Sequence, residues 1–163
     1  MNMRQNLIDL YNNLQKNEIL LRLLYYKPKN GLDNPLDTTK ANVLDMKDKA
    51  NVIKNILVPS DKTIDLTLES EICRICLYNG SRRPQHNYFA HDQDFVLDVY
   101  VHFNIDEKDF RLTWILDHLN SLMGNKEITG AGKVKFVIGT PIIATPKGYI
   151  GYKMVYQFIG LED

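Results

Sequence analysis

Both cysteines of the chain and two of its four histidines fall within EICRICLYNGSRRPQHNYFAH, residues 71–91. Cys73-x-x-Cys76 followed by His86-x4-His91 imitates the ligand order of a zinc site. Zinc needs four ligands converging tetrahedrally, and C-x-x-C ligands normally sit on a tight turn. Here the pair lies in a strand pattern, where residues i and i+3 face opposite ways. No Gly or Pro lies within or just after it to form a knuckle. The spacing therefore predicts a buried Cys73 and a second thiol nearby, and no metal site. A redox motif would place C-x-x-C at the opening of a helix, whose terminus lowers the thiol pKa. LYNGSRRP, which follows Cys76, is turn material.

GNKEITGAGKV suggests a phosphate-binding loop, which requires G-x-x-x-x-G-K-[ST] between a strand and a helix. Counting back from Gly132-Lys133, the first glycine position holds Glu127, and Val134 occupies the Ser/Thr position. A strand follows where a helix is required, so this segment is expected to be a turn. His102 falls on the polar face of a strand, and His118 on the side of a helix away from its apolar stripe. The acidic residues show no spacing that argues a carboxylate pair. No catalytic residue and no cofactor are expected, and the chain is not expected to be an enzyme.

SRRPQHN is the remaining candidate. Arg82 and Arg83 offer planar forks of donors that pair with carboxylates or phosphates. They fall in a segment read as a loop over about residues 79–94, longer than the usual hairpin connection. Two adjacent arginines more often mark a solvated loop, but long loops in compact domains are either binding elements or disordered, and on the binding reading Arg82 and Arg83 are the candidate contact residues.

The elements that position these residues are read from periodicity. The chain has 163 residues, with 20 basic and 20 acidic side chains, and fits one domain. A protein that coats a polyanion should be basic overall, which this chain is not. The amino terminus lacks the apolar core of a signal peptide, and no apolar run reaches membrane-spanning length. Assembly in a cytoplasm, with no membrane partner, is expected.

Leu7, Leu10, Tyr11 and Leu14 mark an amphipathic helix, and Asn17 is placed to cap a second, EILLRLLYY, which Pro28 stops. KPKNGLDNPLDTT reads as a loop. Val43, Met46, Ala50 and Ile53 give a shorter helix ended by VPSD. From Pro59 the period changes. TIDLTLESEICRICLY reads as one long strand, or two joined at a bulge near Ser70, where the apolar phase flips. FVLDVYVHFNI is the strongest strand, with Phe95, Leu97, Val99, Val101, Phe103 and Ile105 on one face. Asp106 is a candidate N-cap for a helix with a stripe from Leu112 to Met123. KVKFVIG and YIGYKMVYQFI close the chain as strands.

The predicted fold is α+β. A mainly antiparallel sheet, β-β-α-β-β over residues 59–163, carries a helix on one face, preceded by helices and a loop over residues 1–58. The last strand is apolar or aromatic on both phases, so both sheet faces are expected to be covered, one of them by a neighbouring subunit.

ICRICLYNGSRRPQHN, FVLDVYVHFNIDEKDFRLTWILDHLNSLM and GYIGYKMVYQFI, in this order over residues 60–160, resemble the tail terminator (tail-completion) proteins of tailed bacteriophages. They are also similar to small neck proteins of phages infecting Gram-positive bacteria. The resemblance implies a structural virion protein that forms a ring, usually a hexamer, on the end of the tail tube. Such a ring stops tube growth and meets the neck connector, and in contractile tails the sheath; DNA would pass only through its lumen. Arg82, Arg83, Gln85, His86, Tyr88 and Phe89 of the loop, with Tyr152 and Tyr156 of the last strand, would then contact the tube or a neighbouring subunit. The alternatives are a stopper or adaptor of the head–tail connector, a small metal- or nucleic-acid-binding module, and an enzyme whose site assembles from distant residues.

Overall fold

The helices form where the sequence supplies both a cap and an apolar stripe. In the computed structural model, which describes residues 2–85, 91–124, 126–130 and 132–159, α1 spans Met3–Gln15 and α2 spans Glu18–Tyr25. The Asn2 side chain accepts from Gln5 N at 3.1 Å and that of Asn17 from Leu20 N at 2.9 Å, so each satisfies an otherwise orphaned amide. The segment after α2 is held by a succession of Asn and Asp side chains that accept from amides two residues on, at Asn30, Asn34 and Asp37. A 3-10 turn at Val43–Asp45 precedes α3, Lys49–Ile56. The single short helix expected over this region is thus two pieces.

β1, Leu57–Val58, follows directly and pairs parallel with β2, Cys73–Pro84. β3, His91–His102, is antiparallel to β2. After α4, Phe103–Asp109, and α5, Arg111–Met123, come β4, Glu127–Thr129, β5, Gly132–Pro141, and β6, Tyr149–Phe158. The sheet order is β1-β2-β3-β6-β5-β4, antiparallel throughout except for β1. The α+β class is as the sequence predicts.

One face of the sheet holds the main core. Cys73, Ile75, Leu77, Phe95, Leu97, Val99, Val101, Met154, Tyr156 and Phe158 project into it and meet Leu10, Leu14, Leu20, Leu23, Ile56, Ile115 and Leu119 from the helices. The amino-terminal helices and α5 therefore share one core. Two buried arginines fasten the layers. Arg111 donates to the carbonyls of Leu23 (2.7 Å) and Tyr26 (2.5 Å) and pairs with Asp109 at 2.7 Å, which ties α5 to the end of α2. Arg74 donates to Asn55 O at 2.8 Å, to Lys62 O at 3.2 Å and to both Asp65 oxygens. A buried cation is tolerated only when its donors are used in this way.

Several expectations are corrected here. Residues 63–72 are not strand: Leu66 N donates to Thr63 O and Ser70 N to Thr67 O, so the segment is two consecutive turns. It lies over the second face of the sheet, where Leu66 joins Val58, Cys76, Tyr100 and Tyr149 in a smaller cluster with Ile72, Tyr78 and Ile142 at its margin. The chain thus covers part of its own second face, which the sequence reading assigned to a neighbouring subunit.

The bulge lies at Asn79/Arg82, not near Ser70. The strand ends at His102, not Ile105: the neutral imidazole Nδ1 accepts from Asn104 N at 3.1 Å, which starts α4, while Nε2 donates to Leu68 O at 2.8 Å. Asp106 lies within α4, and its side chain accepts from Leu112 N at 2.9 Å in the first turn of α5, the helix with the stripe from Leu112 to Met123. Between the two helices Phe110 adopts a left-handed conformation, φ 53°.

Candidate assembly surface

The cysteines resolve first, because their strand fixes their directions. Cys73 projects into the main core and Cys76 into the cluster on the opposite face. Two sulfurs on opposite sides of a sheet cannot ligate one ion. Burial raises both thiols to about 12, which leaves neither a nucleophile near neutral pH. Among the described residues no cluster of His, Cys, Asp and Glu could hold a metal ion, and no helix is long and apolar enough to cross a membrane. His86 lies outside the described residues, as do Tyr88 and Phe89. His118 is half-buried rather than turned away, with Nε2 2.9 Å from the capping Oδ1 of Asn17; burial lowers its pKa.

On the second face the carboxylate of Asp98 accepts from Tyr78 OH at 2.6 Å and lies 3.1 Å from Lys153 Nζ. Lys153 also donates to the Tyr78 oxygen at 2.5 Å. These groups neutralise one another across three strands, and burial beside Asp98 raises the Tyr78 pKa. The set ties β2, β3 and β6 together, with Asp98 Oδ1 near Lys153 Nζ but without a hydrogen bond among the described residues.

Residues 79–84 lie in β2 and 91–94 in β3, which corrects the long-loop reading for these positions. Arg82 pairs across the ladder with Gln93, Arg83 with Asp92 and Pro84 with His91. Gly80 makes this possible: a Cβ there would lie 2.7 Å from the Asp94 Cβ. Arg82 Nε donates to Gln93 Oε1 at 2.6 Å, Arg83 to Asp94 Oδ1 at 2.9 Å, and Gln85 to Asp92 Oδ1 at 2.5 Å. The three predicted loop residues that are described, Arg82, Arg83 and Gln85, thus stitch the two strands together, although Arg82 and Arg83 stay exposed. Tyr152 is half-buried against the core. Tyr156 is fully buried, stacked on Phe95 and bonded through its hydroxyl to Asn120 at 2.7 Å, so it has no surface to offer a partner.

The features that the sequence reading missed are the sheet edges. β1 covers β2 only at Ile75 and Cys76, so beyond Cys76 the outer edge of β2 has no partner strand among the described residues. Beside it runs a groove of about 600 Å³, walled by Leu7, Ile8 and Tyr11 of α1 and by Pro59–Asp61, with Leu77–Asn79 along its floor. On the far side of the sheet, β4 pairs with β5 only at Gly132 and Lys133. From Lys135 to Pro141 that edge too lacks a partner strand, and Phe136, Val137 and Ile138 stand 43%, 42% and 51% exposed. A run of consecutive apolar residues on a strand with one free edge was the available signal, in VKFVIG.

The sheet is closed on its helical side and, among the described residues, open along part of both edges. The chain belongs to the YomW family, whose model matches residues 17–158. It is 32% identical over 154 residues, 85% of this chain and 86% of the relative, to the SPbeta prophage-derived uncharacterized protein YomW of Bacillus subtilis (strain 168). The kinship gives the chain a phage origin.

Proposed function

We propose that the protein is a non-enzymatic structural component of a phage tail or neck, acting as a tail terminator. On this reading it assembles as a ring on the end of the tail tube, stops tube polymerisation and offers its outer side to the neck connector, and to the sheath where one is present. It would be made in the host cytoplasm and reside in the virion.

The observation that carries this reading is the pair of open edges on opposite sides of one sheet. A subunit with two different unsatisfied edges is suited to heterologous, head-to-tail contacts, and these close into rings when the rotation between copies permits. The phage kinship supports the setting, and the order of elements is similar to that of tail terminators and small neck proteins.

The test is to mix the purified chain with polymerising tail tube protein and to image the tubes by negative stain. Tubes with a ring at one end and of restricted length are expected. Tubes that grow unchanged and bare-ended would overturn the terminator role. Rings that bind the connector but not tubes would assign the stopper or adaptor position instead.

A further inference from the structure

The cavities, buried ionic sets and apolar patches differ in how far they point to a partner. The buried arginines and the Asp98 set have their charge partners within the fold, although Asp98 Oδ1 and Asp109 Oδ1 are buried without a hydrogen bond among the described residues. The groove lined by Lys27, Lys54 and Lys62 has a basic rim, with nothing to define what fills it. The two sheet edges, in contrast, fit each other.

We propose that successive subunits join by β-strand addition, the free edge of β5 in one copy pairing antiparallel with the open half of β2 in the next. This deepens the ring reading above and rests on it. Three observations carry it.

The first is strand sense. β2, β3, β6 and β5 alternate in direction across the sheet, so β5 runs opposite to β2. A neighbour placed in the same sense therefore brings its β5 antiparallel to β2 and continues the ladder without reversal. The second is the match of side chains to walls. Phe136 lies on the helical face of its sheet, edge-on to Tyr156 at 5.5 Å, and Ile138 lies on the other face, opposite Val155. In a continued sheet Phe136 would meet Leu7, Ile8 and Tyr11 of the next subunit, and Ile138 would meet Pro59 and Tyr78. Main-chain bonds supply affinity in such additions, and side-chain pockets supply specificity.

The third is charge. The incoming strand carries Lys133 and Lys135, and the groove wall carries exposed Asp61. Lys135, the bulge at Phe136/Ile138 and Pro141 are also devices that discourage indiscriminate edge pairing. A shaped acceptor groove is what such a guarded edge requires. The alternative use of the same edge, β5 against β5 about a twofold axis, would give a closed dimer and leave the groove empty.

Cysteine trapping distinguishes these arrangements, because a disulfide forms only when Cβ atoms approach to about 4 Å. Exposed positions of β2 and β5 that share a sheet face are replaced in the full chain: Asn79→Cys with Phe136→Cys, and Ser81→Cys with Lys135→Cys. The native thiols are buried and stay silent. Under mild oxidation by copper phenanthroline, at least one double variant should give a ladder of dimers, trimers and higher species on non-reducing gels. Mixing the two single variants of that pair should give dimers and stop there. Phe136→Cys linking to itself would overturn the proposal in favour of the twofold dimer. Absence of any link, while light scattering shows a multimer, would overturn this interface and leave the ring reading standing. A monomer by light scattering that forms no link would remove both.

Discussion

The two halves of β2 show how differently one strand can be finished. From Cys73 to Tyr78 it is enclosed by the main core on one face and the turns of residues 63–72 on the other, with β1 on its outer edge at Ile75 and Cys76. Its charged residue, Arg74, is only 1% exposed and has acceptors on three surrounding residues, Asn55, Lys62 and Asp65. From Asn79 to Pro84 the same strand is exposed, its outer edge is free, and its arginines bond only to the partner strand. The enclosed half buys stability; the open half spends little on it and keeps surface for a partner. The difference comes from the chain around the strand, because β1 ends after Val58, where Pro59 turns the chain away.

Substitutions along β2 should therefore fall in a graded series. Arg74→Ala removes donors from two backbone carbonyls and the partner from Asp65, and should cost about 3 kcal/mol in urea unfolding. A loss below about 1 kcal/mol would show that the enclosed half is not what fastens the sheet. The same contact sets an acid dependence. The Arg74 hydrogen bonds hold the Asp65 carboxyl down to about 2, from an ordinary value of 3.8. Its contribution is present above 3.8 and is lost as pH falls toward 2, since the unfolded chain takes up the proton first. Melting temperature should therefore fall through that window in the native chain and fall less steeply in Arg74→Ala.

Arg83→Ala leaves the nearly buried carboxylate of Asp94 without its cation and should cost less, about 1–2 kcal/mol. Arg82→Ala should change stability by less than about 1 kcal/mol, since Gln93 keeps acceptors for its amide group in Asp94 and the Gly80–Ser81 backbone. Reversal of this order, with Arg82 the costliest of the three, would erase the distinction between the halves.

Much of this architecture is legible in the sequence. The Asn17 cap, the stripe from Leu112 to Met123, and the alternation from Phe95 to Val101 all rest on local periodicity and local hydrogen bonding, which a sequence carries. The opposite facing of Cys73 and Cys76 follows in the same way. What failed depended on distant neighbours. Ile64, Leu66 and Leu68 alternate like a strand, yet only Leu66 is buried, because the segment drapes over the sheet in turns. Gly80, Ser81 and Pro84 carry the composition of a loop, but pairing with β3 and a bulge absorb them into a strand. Phe103 and Ile105 continue the β3 alternation, and only the backbone amide bonded to His102 shows that a helix has begun. The site suffered most: an edge is defined by which strand is missing beside it, and no local pattern reports that. Arg82 and Arg83 were singled out for their chemistry in a segment read as a long loop, and they stand on such an edge; Phe136–Ile138 and the Leu7–Tyr11 wall were not singled out.

The central claim is that the open edges, and not the stability of the fold, govern assembly. Ile138→Lys puts a charge on the β5 edge, where it is 51% exposed and adds nothing to the core. Light scattering coupled to size exclusion, with thermal melting of the same samples, compares it with the native chain. The native chain should elute as a multimer and the variant as a folded monomer, with melting of the isolated subunit unchanged. A variant that keeps the native mass, or a native chain that is itself monomeric, would contradict the claim.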